Sequence, residues 1–431
     1  MPNGVICGGA VDGSNQLGAI VTCQAMTACP EGAAGTGAGE RAPRTVATAS
    51  SDRVIGRGMT SLLCEQSRGW LRAWGQTAPT SMPRSPHRAT LPQSREQEEA
   101  VAMKVGVLQF FSWSRRVPLT AVYARAFSRI QTMDQAGYDC VWLAEHHFNT
   151  YSVCPSINVM AAHVASITRN LRVGLAVSLA AFYNPLRLAE EVAMLDVLSG
   201  GRVNWGAGRG FDRTEFDAFA VPVEESSDRF RECVEIVLAA WRNERLRYEG
   251  RFWRYEGIEV LPKPLQAPHP PVWLAATSPD SIRRAAEKGY DILQDPHATH
   301  ADIGRKRAHY YDVLRAHGFP TEGRVIPTAR LLAVGATDQE ADEVARAGAA
   351  WTVASYANPT KRAGPPPAHW VPGIDPVERY MNEVVIRGTP DRVLDKILEL
   401  RETIGLDYLM CAPLSHQTFT LFTERVLPKL I

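Results

Sequence analysis

An apolar run, Val141-Trp142-Leu143-Ala144, delivers Glu145-His146-His147-Phe148 directly into a loop. Imidazoles change charge near neutral pH, and an adjacent carboxylate can fix which ring nitrogen holds the proton. This strand end is therefore equipped for acid–base work, in the position where βα proteins usually carry their chemistry. A blander reading has one histidine capping the strand and the other packed or solvated. A metal site is the third reading, but neighbouring side chains on a strand point to opposite faces, so His146 and His147 are badly placed to share an ion.

Two further segments offer groups for an anion. Gly208-Arg209-Gly210 follows an apolar run and sets a guanidinium between glycines, where backbone can approach a ligand and the planar fork can grip a phosphate. Its Gly-x-Gly is not a dinucleotide fingerprint, because no helical pattern begins directly after it. Farther on, Pro271-Val272-Trp273-Leu274-Ala275-Ala276 runs into Thr277-Ser278-Pro279-Asp280-Ser281, a strand leading to a helix start with hydroxyls beside free N–H groups. A plain serine N-cap and a surface ion pair are the ordinary alternatives for these two segments.

Eight strand-length apolar runs must position these groups: near 104–110, 139–144, 171–178, 202–207, 271–276, 290–294, 325–334 and 406–411. Helical periodicity lies between them. Leu119, Val122, Tyr123, Ala126, Phe127, Ile130 and Met133 share one face after Pro118, as do Ile157, Met160, Ala161, Val164 and Ile167. Leu188, Val192 and Leu195 lead to a stop at Ser199-Gly200-Gly201, and Thr389-Pro390 opens a helix faced by Val393, Ile397 and Leu400. Continuous apolar strands alternating with amphipathic helices predict an α/β fold, a closed (β/α)8 TIM barrel, with an open doubly wound sheet as the alternative. Excess length falls at 209–270 and 353–387, insertions at the strand C-terminal ends that would serve as lids.

The first 102 residues differ from the rest. They are rich in Gly, Ala, Ser, Thr and Pro, lack lysine, and show no sustained period. They read as a disordered or non-native extension, with Met103 the biological start and 103–431 the barrel. A basic, apolar, small-residue leader is missing. With 45% hydrophobic and 22% charged residues and a formal net charge of +1, the chain has no bias toward nucleic acid or an anionic membrane surface. No apolar run reaches transmembrane length. The eight cysteines, Cys7, Cys23, Cys29, Cys64, Cys140, Cys154, Cys233 and Cys411, include no CxxC pair. They read as reduced, mostly buried thiols of a cytoplasmic protein, with neither zinc nor disulfides expected.

Taken in order, Glu145-His146-His147-Phe148, Ala176-Val177-Ser178-Leu179, Tyr183-Asn184-Pro185-Leu186 running into Leu198-Ser199-Gly200-Gly201-Arg202, Gly208-Arg209-Gly210 and Ala276-Thr277-Ser278-Pro279 resemble the bacterial luciferase-like, flavin-dependent monooxygenase family. The likeness covers about 104–430. It implies a barrel that binds reduced FMN, with the phosphate held by Arg209, Thr277, Ser278 and Ser281 beside Ala276. It also implies an isoalloxazine ring against the third strand at Ala176, Val177 and Ser178, where the family has a non-proline cis peptide. The hydroxyl of Thr277 stands where some members have a carboxylate, which leaves the phosphate contacts open.

The resemblance further implies that His146 is the catalytic base or peroxide-orienting group, with Glu145 and His147 fixing its tautomer. Reduced FMN and O₂ would give a C4a-peroxyflavin that oxidises a small organic substrate. Phe110, Phe111, Trp113, Phe148, Tyr151, Phe182 and Tyr183 could form the dry wall such a species needs. A separate NAD(P)H-dependent flavin reductase and a homodimer are implied in the same way. The alternatives are a deazaflavin (F420)-dependent oxidoreductase on the same barrel and a flavin-binding protein without turnover.

Overall fold

The computed structural model describes residues 102–113, 115–355 and 373–431. Residues 1–101 of the proposed extension and Gly364-Pro365-Pro366-Pro367 lie outside the described residues. Strands β1 (Lys104–Gln109), β2 (Cys140–Leu143), β3 (Arg172–Leu179), β4 (Val203–Gly208), β7 (Val272–Ala275), β8 (Asp291–Leu293), β9 (Pro327–Val334), β10 (Ile386–Gly388) and β11 (Tyr408–Pro413) form one nine-stranded parallel sheet. Their order is β10-β9-β11-β1-β2-β3-β4-β7-β8. Beyond β8, Gln294 makes an isolated parallel bridge to Thr328 of β9. Gln294 N–H donates to Pro327 O, and Ala329 N–H donates to Gln294 O, each at 3.0 Å. The curled sheet is thus stitched at its far edge to β9.

All eight apolar runs read from the sequence are strands, because each is buried on both faces and Val, Ile and Leu suit that setting. Alternate residues divide the core. Leu108, Trp142, Trp273, Leu331 and Met410 pack together on the sheet's inner side. Val107, Val141, Leu143, Val173 and Leu332 meet helical residues such as Ile130, Val164, Leu188 and Val192 on the other. Each such side chain contributes roughly 1.5–3 kcal/mol of burial. Trp142 anchors the inner cluster, its indole edge-on to Trp273 at 5.4 Å and donating to the Tyr408 hydroxyl at 3.1 Å.

Helices α1 (Leu119–Ala136), α2 (Ile157–Ile167) and α3 (Pro185–Leu198) begin and end at the signals the sequence carries. Asn184 caps α3 by accepting from Leu186 N–H and Arg187 N–H, with Pro185 at its first position. The segment 209–270 is more regular than an insertion. It holds α4 (Arg213–Ala218), α5 (Ser226–Arg242) and an antiparallel hairpin, β5 (Leu246–Glu249) with β6 (Arg254–Ile258). Helix α5 buries Cys233, Val234, Ile236, Val237 and Trp241 in the outer core, so it is a structural helix of the barrel layer rather than lid material.

Downstream come α6 (Pro279–Glu287), α7 (His300–Ala316), α8 (Asp338–Ser355), α9 (Pro376–Glu383), α10 (Pro390–Ile404) and α11 (His416–Arg425). Strand β10 escaped prediction because only Ile386-Arg387-Gly388 pair with β9, too short a run to show a period. Cys140, Cys154, Cys233 and Cys411 are buried free thiols. Among the described residues no helix is long and apolar enough to cross a membrane.

Candidate active site

Parallel pairing brings the C-terminal ends of β2, β3, β4 and β7 side by side on one rim. At the end of β2, residues two apart share a side, so Glu145 and His147 meet: His147 Nε2 lies 3.1 Å from Glu145 Oε1. Tyr183 hydroxyl donates to the same oxygen at 2.9 Å, and Leu179 N–H donates to the other at 3.3 Å. Burial pushes the Glu145 carboxyl above its usual range, and the contacts from His147, Tyr183 and Leu179 oppose that rise. This carboxylate therefore fastens the end of β2 to the end of β3.

His146 faces other groups. Its Nδ1 lies 3.3 Å from the Tyr151 hydroxyl and 3.7 Å from a carboxylate oxygen of Glu215, and the histidine is only 6% exposed. Tyr151 hydroxyl also donates to Asp212 at 3.3 Å. Phe110 lies parallel to the imidazole at 6.2 Å, with Tyr151 edge-on at 4.6 Å. Glu145 and His147 were expected to set the His146 tautomer. Strand alternation instead pairs them with each other, and Tyr151 and Glu215 stand at the His146 Nδ1 edge.

Asp212 and Glu215 come from the turn after β4, which folds back on β2. Asp212 caps α4 by accepting from Thr214 N–H, and Glu215 accepts from His147 N–H at 3.0 Å. Glu215 is fully buried, and its second oxygen has no hydrogen-bond partner. A helix begins three residues past Gly210 rather than directly after it; α4 is six residues long and shows too little periodicity to announce itself. Its signal was the capping pattern Asp212-x-x-Glu215.

The Ala176–Val177 peptide on β3 is cis, and register shifts there relative to β4. Val177 leans onto Gly208: a Cβ at that glycine would stand 2.3 Å from Val177 Cγ2. Ser178 is buried, and its hydroxyl has no hydrogen-bond partner. Strands β4 and β7 are paired neighbours, and Arg209 and Ala276 are the residues that directly follow their ends. Arg209 is half-buried, donates to Ser226 Oγ at 2.9 Å and lies over the Phe216 ring at 5.9 Å.

At the start of α6, Ser278 and Ser281 form a reciprocal capping box: Ser281 N–H donates to Ser278 Oγ at 3.2 Å and Ser278 N–H to Ser281 Oγ at 3.1 Å. Thr277 and Ser278 are exposed, and Ala276 is buried. With strands about 4.8 Å apart, the rim from β2 to β7 spans roughly 15 Å.

Of the aromatic residues, Phe110 and Tyr151 contact His146, and Tyr183 holds Glu145. Phe182 packs with Phe216 and Phe219, and Phe148 joins them through Phe219. Phe111 belongs to the outer core, and Trp113 donates its indole N–H to Val117 O. Among the described residues no group of three or more His, Cys, Asp or Glu side chains is arranged to hold a metal ion.

The sequence model of the luciferase-like monooxygenase family matches residues 103–407, and the chain belongs to that family. The oxygenase component of a flavin-dependent trigonelline monooxygenase from Acinetobacter baylyi is 28% identical over 192 residues, 44% of this chain and 53% of that protein. The chain thus spans about half the length of the first curated relatives it matches. The monooxygenase RslO1 of Streptomyces bottropensis superposes with a TM-score of 0.65 at 26% identity, covering 76% of this chain and 100% of that one.

Two less identical structures share the fold. The oxygenating constituent of Pseudomonas putida 3,6-diketocamphane monooxygenase, solved with FMN, gives a TM-score of 0.64 at 21% identity and covers 77% and 99% of the two chains. The coenzyme F420-dependent tetrahydromethanopterin reductase of Methanopyrus kandleri gives 0.60 at 18%, covering 77% and 100%.

Proposed function

We propose that this chain is the oxygenase component of a cytoplasmic, two-component monooxygenase that takes reduced FMN from a separate NAD(P)H-dependent reductase and uses O₂ to oxidise a small organic substrate. One observation carries the reading: a buried histidine with a carboxylate and a phenol at one ring edge shares a continuous rim with a guanidinium and a helix N-terminus. The stitched edge at Gln294 and Thr328 supports a closed eight-stranded barrel, with β10 added on the outside of the ring.

The residues present suit FMN. Arg209 and the N–H groups opening α6, with the hydroxyls of Thr277, Ser278 and Ser281, suit a phosphate, and Ala276 directly follows β7 at the start of this segment. Gly208 leaves room at the rim, and the unpartnered buried hydroxyl of Ser178, beside Ala176 and Val177, offers a hydrogen bond to a polar ring edge. Bound reduced flavin supplies the electrons that activate oxygen. His146 acts at the reacting end by holding or moving a proton, Tyr151 and Glu215 orient its ring, and Glu145 with His147 keeps β2 and β3 in place. Phe110 and Tyr151 keep water from the imidazole. Met194, Val197 and Leu198 are exposed at helical spacing on α3, and Val159 is exposed on α2; these apolar side chains would suit a homodimer contact.

Titration of the full chain with FMN and with F420, read by flavin fluorescence, tests the assignment. Micromolar binding of FMN supports it. Binding of F420 alone, with substrate reduction in the absence of O₂, transfers the same rim to hydride chemistry.

A further inference from the structure

Polar groups at the other end of the strands surround a cavity of about 250 Å³. Among the residues lining it, Lys104 opens β1, Asp139 precedes β2, Arg172 opens β3 and Tyr408 opens β11. The cavity therefore lies at the strand N-terminal ends, away from the rim that carries His146. Trp273 of β7 and Val325, which precedes β9, give it an apolar wall.

Polar residues at this end of a barrel ordinarily serve stability, and several of these do have partners within the fold. Tyr408 hydroxyl donates to Asp139 while accepting the indole N–H of Trp142. Arg172 differs. Its Nε donates to Asn204 Oδ1 at 2.8 Å, and its Nη2 donates to Val203 O at 2.9 Å and to Gln266 Oε1 at 3.0 Å. Three neutral acceptors thus fix the plane of the guanidinium without cancelling its charge, and among the described residues no carboxylate comes within ion-pair distance of it. Its Nη1 has no hydrogen-bond partner among the described residues and yet is not buried. That nitrogen is the guanidinium donor left for a ligand.

Lys104 adds a second cation and Asp139 one carboxylate, already bonded to Tyr408, so the lining named here carries a single net positive charge. A monoanion balances it, whereas a dianion would be opposed by Asp139. A guanidinium held in place beforehand makes a strong charge-assisted bond to a carboxylate, because little side-chain freedom is lost on binding. The volume is below the roughly 300–1,000 Å³ of pockets for drug-sized molecules, which limits the occupant to a small one. We propose that this cavity is a second ligand site, taking a small organic monocarboxylate whose charged end meets Arg172 and Lys104 and whose apolar body lies against Trp273 and Val325. The site is independent of the flavin reading.

The test is calorimetric titration of the full chain with benzoate, with benzamide as its neutral isostere, and with inorganic phosphate. Benzoate should bind about tenfold more tightly than either. Arg172→Gln should bring benzoate affinity down to that of benzamide, and Lys104→Gln should weaken benzoate about threefold. Val325→Phe fills the cavity and leaves the charges in place, so it should abolish binding of both aromatic probes. Thermal melting checks each variant, and if Arg172→Gln does not fold, the other two substitutions carry the test. Absence of benzoate binding, equal affinities for benzoate and benzamide in the parent, or an unchanged benzoate affinity in Val325→Phe overturns the proposal. Tighter binding of phosphate than of benzoate overturns the carboxylate assignment, and competition between benzoate and FMN would place the carboxylate on the rim instead.

Discussion

One carboxylate oxygen of Glu215 accepts the backbone N–H of His147 at 3.0 Å and lies 3.7 Å from Nδ1 of His146. It couples the turn after β4 to the imidazole on β2, over a separation of 69 residues for His146 and 68 for His147. An anion at this edge holds the ring's orientation and steadies it when it carries charge. Glu215→Gln keeps the shape and removes the charge, so the delay in flavin reoxidation after mixing with O₂ should shorten about tenfold, while FMN affinity stays within twofold. An unaltered delay removes Glu215 from this role.

Arg209 supplies the guanidinium on the proposed phosphate side of the rim. A charge-assisted hydrogen bond contributes roughly 1.5–3 kcal/mol, so Arg209→Ala should weaken FMN binding by about 10- to 150-fold. Riboflavin, which lacks the phosphate, should lose less than threefold. Parallel losses for both ligands in fluorescence titrations would place Arg209 away from the phosphate.

Gly208 has no space for a side chain, since a Cβ would stand 2.3 Å from Val177 Cγ2. Gly208→Ala must displace the Val177 side chain or push β4 from β3 and should cost about 1–3 kcal/mol in thermal or urea unfolding. The displaced rim should also weaken FMN binding. A variant as stable as the parent would show that the two strand ends yield easily.

The strands were legible because a chain buried on both faces has to be continuously apolar, and Glu145-His146-His147 stood out at the end of one of them. What the residues could not disclose was partnership across distance. Glu145 and His147 look like natural companions of His146, yet the two-residue repeat of a strand turns them away from it. Glu215, which stands 3.7 Å from Nδ1 of His146, lies in a six-residue helix whose only trace was the capping pattern begun by Asp212. Likewise, Ser278 and Ser281 read equally well as phosphate donors or as a plain cap, and the helix start itself cannot decide between them.

Acid should destabilise the fold through His300. Burial, reinforced by the nearby Arg330 and Lys396 cations, pushes this imidazole down to about 3. The folded state thus holds it neutral while the unfolded chain takes up a proton below about 6.5, so stability rises with pH between those values and is lost as pH falls through them. The cost approaches about 1.4 kcal/mol for each pH unit below the unfolded midpoint. His300→Asn should flatten the decline in unfolding free energy between pH 6 and pH 4, and an identical slope in parent and variant would contradict the assignment.

The most direct test of the central claim is rapid mixing of the reduced-FMN complex with oxygenated buffer, followed by the return of oxidised-flavin absorbance in the parent chain and in His146→Ala. A rim that joins His146 to bound flavin predicts a clear delay in the parent and its shortening by at least tenfold in the variant, with FMN affinity preserved. Equal traces for the two proteins, at equal flavin occupancy, would contradict it.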